Sequence, residues 1–131
     1  MTEKYSAKRR LGNIGENVAV QFLERKGFEI IERNYLKPWG EIDIIAKKSG
    51  VYRFVEVKSV SRESISDFSR ENNDYRPEEL VHEYKIKKVA RTAEMYMNEK
   101  RLKEDFQIDV VGVFLDMKQR KAQCRIYEQV L

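Results

Sequence analysis

The stretch Glu41-Ile42-Asp43-Ile44-Ile45-Ala46-Lys47-Lys48-Ser49-Gly50-Val51-Tyr52-Arg53-Phe54-Val55-Glu56-Val57-Lys58 decides the fold. Two apolar runs, 41–47 and 51–59, flank a Ser-Gly pair, and glycine tolerates the positive φ that a tight hairpin turn needs. In an extended strand side chains alternate between faces, so Glu56 and Lys58 share one face and Val55 and Val57 the other. The same alternation sets Glu41 and Asp43 opposite Ile42 and Ile44. A two-residue loop at Ser49-Gly50 puts Asp43 directly across from Glu56, and Glu41 across from Lys58. A three-residue loop would shift the register and remove that pairing.

Outward from the hairpin, Ile14, Val18, Ala19, Phe22 and Leu23 recur at helical spacing between Gly12 and Lys26, with Gly27 as a cap. Residues 28–36 (Ile30, Ile31, Tyr35) read as a first strand that stops at Pro38. Ser61 to Arg76 is polar and reads as a mobile loop, long for a compact domain. Pro77-Glu78-Glu79 signals a helix start. Ile86, Val89, Ala90, Ala93 and Met97 mark that second helix's buried face, which fades near Arg101. Phe106 to Leu115 and Gln123 to Val130 read as two closing strands around a polar turn, Asp116 to Lys121. The order α-β-β-β-α-β-β predicts an α/β fold with one mixed β-sheet flanked by helices, over a single domain of residues 1–131.

Composition narrows the function classes. The 131 residues carry 26 Lys and Arg against 22 Asp and Glu, a net charge of +4 that is compatible with an anionic partner. One cysteine, Cys124, and one histidine, His82, cannot build a structural zinc site or an internal disulfide. Together with the lack of any run of about 18 apolar residues, this predicts a cytoplasmic protein that does not cross a membrane.

The hairpin carries the chemistry. Directly opposed carboxylates destabilise a sheet unless something compensates, and a hard divalent cation, Mg²⁺ or Mn²⁺, would do so through oxygen ligands. Such an ion could polarise a phosphodiester and acidify a water, with Lys58 orienting that water or balancing charge on the phosphate. A solvated sheet face with cross-strand salt bridges is the competing reading. Read from position alone, Glu16 is a carboxylate near a helix N-terminus, and Glu41 is a salt-bridge partner for Lys58. Lys85, Lys87, Lys88 and Arg91, with Lys8, Arg9 and Arg10, could contact nucleic-acid phosphates or simply form solvated surface. His82 reads as a loop-edge residue and Trp39 as a plug at the core edge. Asp109 would be buried and in need of a partner, for which Arg91 is the candidate.

An acid on one strand followed by Glu-x-Lys on the next resembles the PD-(D/E)xK nuclease superfamily, and with it the restriction endonuclease-like fold. Gly15-Glu16, Gly40-Glu41-Ile42-Asp43 after Trp39, Phe54-Val55-Glu56-Val57-Lys58, Ile108-Asp109-Val110-Val111, and a helix with Lys88, Arg91 and Tyr96 look like the small bacterial YraN family of predicted endonucleases. The resemblance implies that Asp43, Glu56 and the Val57 backbone carbonyl bind Mg²⁺ or Mn²⁺. It makes Lys58 the catalytic lysine and Glu16 an additional catalytic acid. It further implies a DNA endonuclease akin to archaeal Holliday junction resolvases, with branched DNA as a substrate class and a homodimer as the acting form. The 61–76 stretch departs from the family in length and polarity, as a cover for nucleic acid or a surface insertion. A non-catalytic nucleic-acid-binding or protein-interaction module retaining the fold is the alternative, since fold alone does not establish function.

Overall fold

The computed structural model describes residues 3–62 and 81–131. They form helix α1 (Glu3–Arg25), strands β1 (Glu29–Lys37), β2 (Gly40–Lys48) and β3 (Val51–Arg62), helix α2 (Glu83–Glu99), and strands β4 (Phe106–Asp116) and β5 (Lys121–Tyr127). The expected element order holds. The strands make one five-stranded sheet in the order β1-β2-β3-β4-β5. Neighbours are antiparallel except β3 and β4, which run parallel across the connection containing α2. Among the described residues no helix is long and apolar enough to cross a membrane.

The two helices cover opposite faces. Ile86, Val89, Ala93 and Met97 of α2 pack on Ile42, Ile45, Phe54, Ile108 and Val110. Ala19 and Leu23 of α1 pack on Ile44, Ala46, Val55, Val111 and Val113. The central strands are thus buried on both sides, which explains their nearly continuous apolar runs.

Ser49 and Gly50 both have positive φ, 52° and 78°, so the hairpin turns through two residues in the mirror-type turn that matches strand twist. Lys48 pairs with Val51 and Ile44 with Val55, the register a two-residue loop dictates.

Several sequence expectations need correction. Ile42 and Ile44 do not share a face: Ile42 lies under α2, Ile44 under α1. Their partners on β1 switch with them. Tyr35, paired with Ile42, joins the α2 side, whereas Arg33, paired with Ile44, reaches α1. Between them Asn34 adopts φ 53°, a left-handed conformation that asparagine tolerates better than most residues. The two strands therefore exchange faces together at Asn34 and Asp43. Helix α1 begins well before Gly12, so Glu16 is mid-helix and the N-terminal dipole does not account for it. Ser61 and Arg62 extend β3 and pair with Leu115 and Asp116; the rest of the expected loop, and the helix start at Pro77, lie outside the described residues. Helix α2 begins at Glu83, where His82 is the N-cap and its Nδ1 accepts from the Tyr84 N–H at 3.1 Å. Strand β5 ends at Tyr127, because Gln129 turns left-handed and its N–H, with that of Val130, bonds back to the Asp109 carboxylate and the Ile108 carbonyl. Trp39 belongs to neither core cluster and is 39% exposed.

Two glycines set the helix positions. A Cβ on Gly15 would strike the Ser59 hydroxyl and stand 2.8 Å from Ser59 Cβ; one on Gly40 would strike the Thr92 hydroxyl and stand 3.3 Å from Thr92 Cβ. Along α1 the buried row shrinks from Leu23 to Ala19 to Gly15, letting the helix close on β3 at the Gly15 end.

In a helix interior, glycine to alanine ordinarily stabilises by about 0.5–1 kcal/mol. Here Gly15→Ala should instead destabilise by about 1–3 kcal/mol through overpacking, read as a lower urea midpoint. The double variant Gly15→Ala/Ser59→Gly should recover most of that loss.

Candidate metal and catalytic centre

The β2–β3 ladder runs from the hairpin turn only as far as Ile44 and Val55. Beyond it the Asp43 carboxylate accepts the Val57 backbone N–H at 2.8 Å. A side chain has taken the place of a strand partner, and the two strands part where Asp43 and Glu56 meet.

Glu56 is 1% exposed, on the α2 side of β3 next to Phe54. Its Oε2 lies 3.3 Å from Nζ of Lys85, and its Oε1 is buried with no hydrogen-bond partner. Burial, and after it the neighbouring Asp43 carboxylate, push its pKa from 4.5 up to about 8, against the opposing pull of Lys85. Burial acts to lower Lys85, but the charges of Glu56 and Asp43 outweigh it and its pKa is raised.

On the α1 side, Asp43, Val57, Lys58 and Ser59 line a cavity of about 340 Å³ with Leu11, Asn13 and Glu16. Glu56 is not among the lining residues and lies on the opposite, α2 side of β3, whereas Asp43, Val57, Lys58 and Glu16 of the expected constellation line one opening. Lys58 is exposed at its mouth. Among the described residues it forms no ion pair with Glu41, because the strands have separated before those positions. Glu16 faces the cavity while held by Arg33, whose Nε and Nη2 both lie 3.2 Å from its Oε1; Nη2 also donates to Asn17 Oδ1 at 2.7 Å. Among the described residues no three His, Cys, Asp or Glu side chains gather into a ready-made metal cage.

The basic residues of α2 separate. Lys85 belongs to the centre through Glu56, Lys87 pairs with Glu83 at 3.5 Å, Lys88 lines a neighbouring groove and Arg91 is exposed. Sequence reasoning read Lys85 as a phosphate contact or solvated surface, not as a partner of Glu56. Its spacing carried a signal, since Lys85, Val89, Thr92 and Tyr96 follow one helical row and the last three are buried. Asp109 does not meet Arg91. It lies on the α1 face, completely buried, and accepts from Arg53 at 3.1 Å, Gln107 at 2.8 Å and the Gln129 N–H at 2.8 Å. Burial pushes the Cys124 thiol up to about 11, which removes it as a nucleophile near neutral pH.

Glu56 generates a pH dependence. A carboxylate whose folded pKa lies above its unfolded one favours the folded state fully below the unfolded value, and that contribution is lost as pH rises through the folded value. In metal-free buffer the melting temperature should therefore fall between about pH 4.5 and pH 8. Glu56→Gln should flatten this fall; an unchanged slope in the variant would assign it to other groups.

A model of the family described as Uncharacterised protein family UPF0102 matches residues 15–113, from Gly15 through every residue of this centre. A UPF0102 protein of Campylobacter hominis is 38% identical over 104 residues, covering 79% of this chain and 83% of its own length. One from Campylobacter jejuni subsp. jejuni is 38% identical over 108 residues, 82% of this chain and 87% of its own. Another, from Dictyoglomus turgidum, is 36% identical over 112 residues, 84% and 86%. With the family model and these relatives spanning most of the chain, the protein belongs to the UPF0102 family, the YraN family that its sequence resembles.

Proposed function

We propose that this protein is a metal-dependent endonuclease of the PD-(D/E)xK superfamily that hydrolyses phosphodiester bonds in DNA. The observation that carries this reading is the Asp43–Glu56 pair, two carboxyl groups within reach of each other, with Glu56 Oε1 buried and met by no N–H or hydroxyl donor. An unsatisfied buried oxygen beside a second carboxylate is costly, and a hard cation answers both costs at once. Mg²⁺ characteristically uses one or two carboxylates and keeps its waters, so two acids and the Val57 carbonyl are a fitting donor set for Mg²⁺ or Mn²⁺. When bound, the ion would supply Lewis-acid polarisation of the phosphodiester and a more acidic water.

The remaining roles fall to the chain itself. Lys58, exposed at the cavity mouth, orients the attacking water and balances the charge that develops on the phosphate. One P–O bond forms to the water oxygen, the bond to the departing sugar oxygen breaks, and a proton passes to that oxygen. Arg33 holds Glu16 at the cavity wall, where its carboxylate can accept a hydrogen bond from water. Kinship with junction resolvases makes branched DNA the substrate form to try first. Cutting two strands at one junction would take two sites, hence a homodimer.

The Lys85–Glu56 contact favours a second reading: an ammonium that already neutralises Glu56 suits a nucleic-acid-binding module that has given up catalysis.

Labelled linear, single-stranded, flapped and four-way-junction DNA, incubated with Mg²⁺, Mn²⁺ or EDTA, decides between these readings. Metal-dependent cutting that Glu56→Ala abolishes supports the enzyme; binding without cutting of any form supports the module. Separately, Mg²⁺ at about a hundred times its dissociation constant should add about 2.7 kcal/mol of stability. That gain, seen as a higher melting temperature, should be absent in Asp43→Ala.

A further inference from the structure

Beside the candidate centre a groove of about 440 Å³ runs between the β1–β2 turn and the first half of α2. Leu36 and Pro38 form one wall and Tyr84 the other, with Lys37, Lys85 and Lys88 around them; Glu41 is the opposing acid. Its apolar groups face solvent: Leu36 is 73% exposed and Tyr84 66%, and Trp39, between two lining residues, is also partly exposed. Leu36 and Glu41 also line a smaller cavity of about 250 Å³ that reaches Asp43. Lys85, at the other side, touches Glu56. The groove therefore leads to both carboxylates of the centre.

We propose, resting on the nuclease reading, that this groove seats a single-stranded segment of DNA, its unpaired bases stacked on Tyr84 and Trp39 and its phosphates against Lys37 and Lys88. The charge balance of the lining, three lysines against one acid, fits a polyanion. The exposed rings and Leu36 separate single strand from duplex. A duplex hides its base faces and offers chiefly phosphates and groove edges, whereas unpaired bases stack on aromatic side chains whatever their sequence. The volume falls in the range of roughly 300–1,000 Å³ common for ligand sites, enough to hold part of one strand and too confined for a double helix. A strand entering here would deliver its next phosphates to Lys85 and the Asp43–Glu56 corner, so the substrate class becomes DNA with an unpaired arm or end.

Trp39 is the chain's single tryptophan and, between the lining residues Pro38 and Gly40, is the chain's own probe beside the groove. The test is its emission during titration with an oligothymidylate of about twenty nucleotides, longer than common site sizes of roughly 4–16. EDTA is present so that no cutting occurs. The expected result is saturable quenching by the single strand and little by a duplex of equal length. Tyr84→Ala should weaken binding about tenfold, and Leu36→Asp should weaken it as an independent variant. Removing Lys37 or Lys88 should each lower the salt dependence by roughly 0.7 in the log–log slope.

No quenching by the single strand, equal quenching by duplex, or tighter binding of an oligouridylate would overturn the proposal. So would emission that changes with protein concentration alone in the native chain but not in Tyr84→Ala, since a second copy would then occupy the groove. The two readings fail separately. Metal-dependent cutting of DNA without single-strand binding removes the groove assignment and leaves the nuclease; single-strand binding without any cutting does the reverse.

Discussion

The burial of β3 on both faces is the constraint from which the rest of the centre follows. Side chains under α2 and under α1 alternate along this strand, so a carboxylate placed on it near the middle has no direct route to bulk water. Glu56 is that carboxylate. An isolated ionised carboxyl in such surroundings would shift its pKa and neutralise, and Glu56 is indeed pushed up to about 8. Two neighbours act on that charge in opposite directions. Lys85 reaches in from α2 to one oxygen, and the parting of β2 from β3 leaves Asp43 beside the carboxyl group. The first lowers the energy of the charged form and the second raises it, which leaves two carboxyl groups facing one half-exposed ammonium.

The contrast with Asp109 is informative. Both acids sit in central parallel strands and both are buried, yet Asp109 is surrounded by donors: Arg53, Gln107 and the Gln129 amide. Arg53 is itself shared with Glu128 and lies over the Phe28 ring. That network ties the C-terminal segment to the sheet and gives both Asp109 oxygens a donor, although Arg53 Nε is itself buried without a partner. Glu56 has one half-exposed ammonium and an oxygen with no partner. A satisfied buried acid reads as architecture, while an unsatisfied one beside a second carboxylate reads as a site.

Position within the centre depends on close approach of helices to strands. Gly15 allows α1 to touch β3 at Ser59, and Gly40 allows α2 to touch β2 at Thr92. Each glycine stands beside a charged residue, Glu16 on the wall of the centre's cavity and Glu41 on that of the neighbouring groove. The glycines bring in the helices that carry Glu16 and Lys85, and the exchange of faces at Asn34 and Asp43 turns Asp43 into the gap between the strands. No single one of these features is chemical, but together they bring three acids, Glu16, Asp43 and Glu56, and two lysines, Lys58 and Lys85, from four elements to one region of the sheet.

Much of this was legible in the residues alone. Alternation and the Ser49-Gly50 turn determine the hairpin and its register, because both are local and depend on a two-residue period and on positive φ. Helical spacing determines the existence of α1 and α2, though less well their starts, since His82 caps through a side chain that is an uncommon N-cap. The same register foretells that Asp43 comes near Glu56, although the ladder ends at Ile44 and Val55 and Asp43 takes the Val57 N–H instead. What local rules could not reach is the face exchange at Asp43, which requires β1 and β2 to turn together, and the arrival of Lys85 at Glu56 from a helix far along the chain. Nor could they tell which buried acid would find its donors, Asp109 or Glu56. Those outcomes depend on how elements distant in sequence pack, and packing is decided only when apolar faces, close-contact glycines and buried charges are satisfied together in three dimensions.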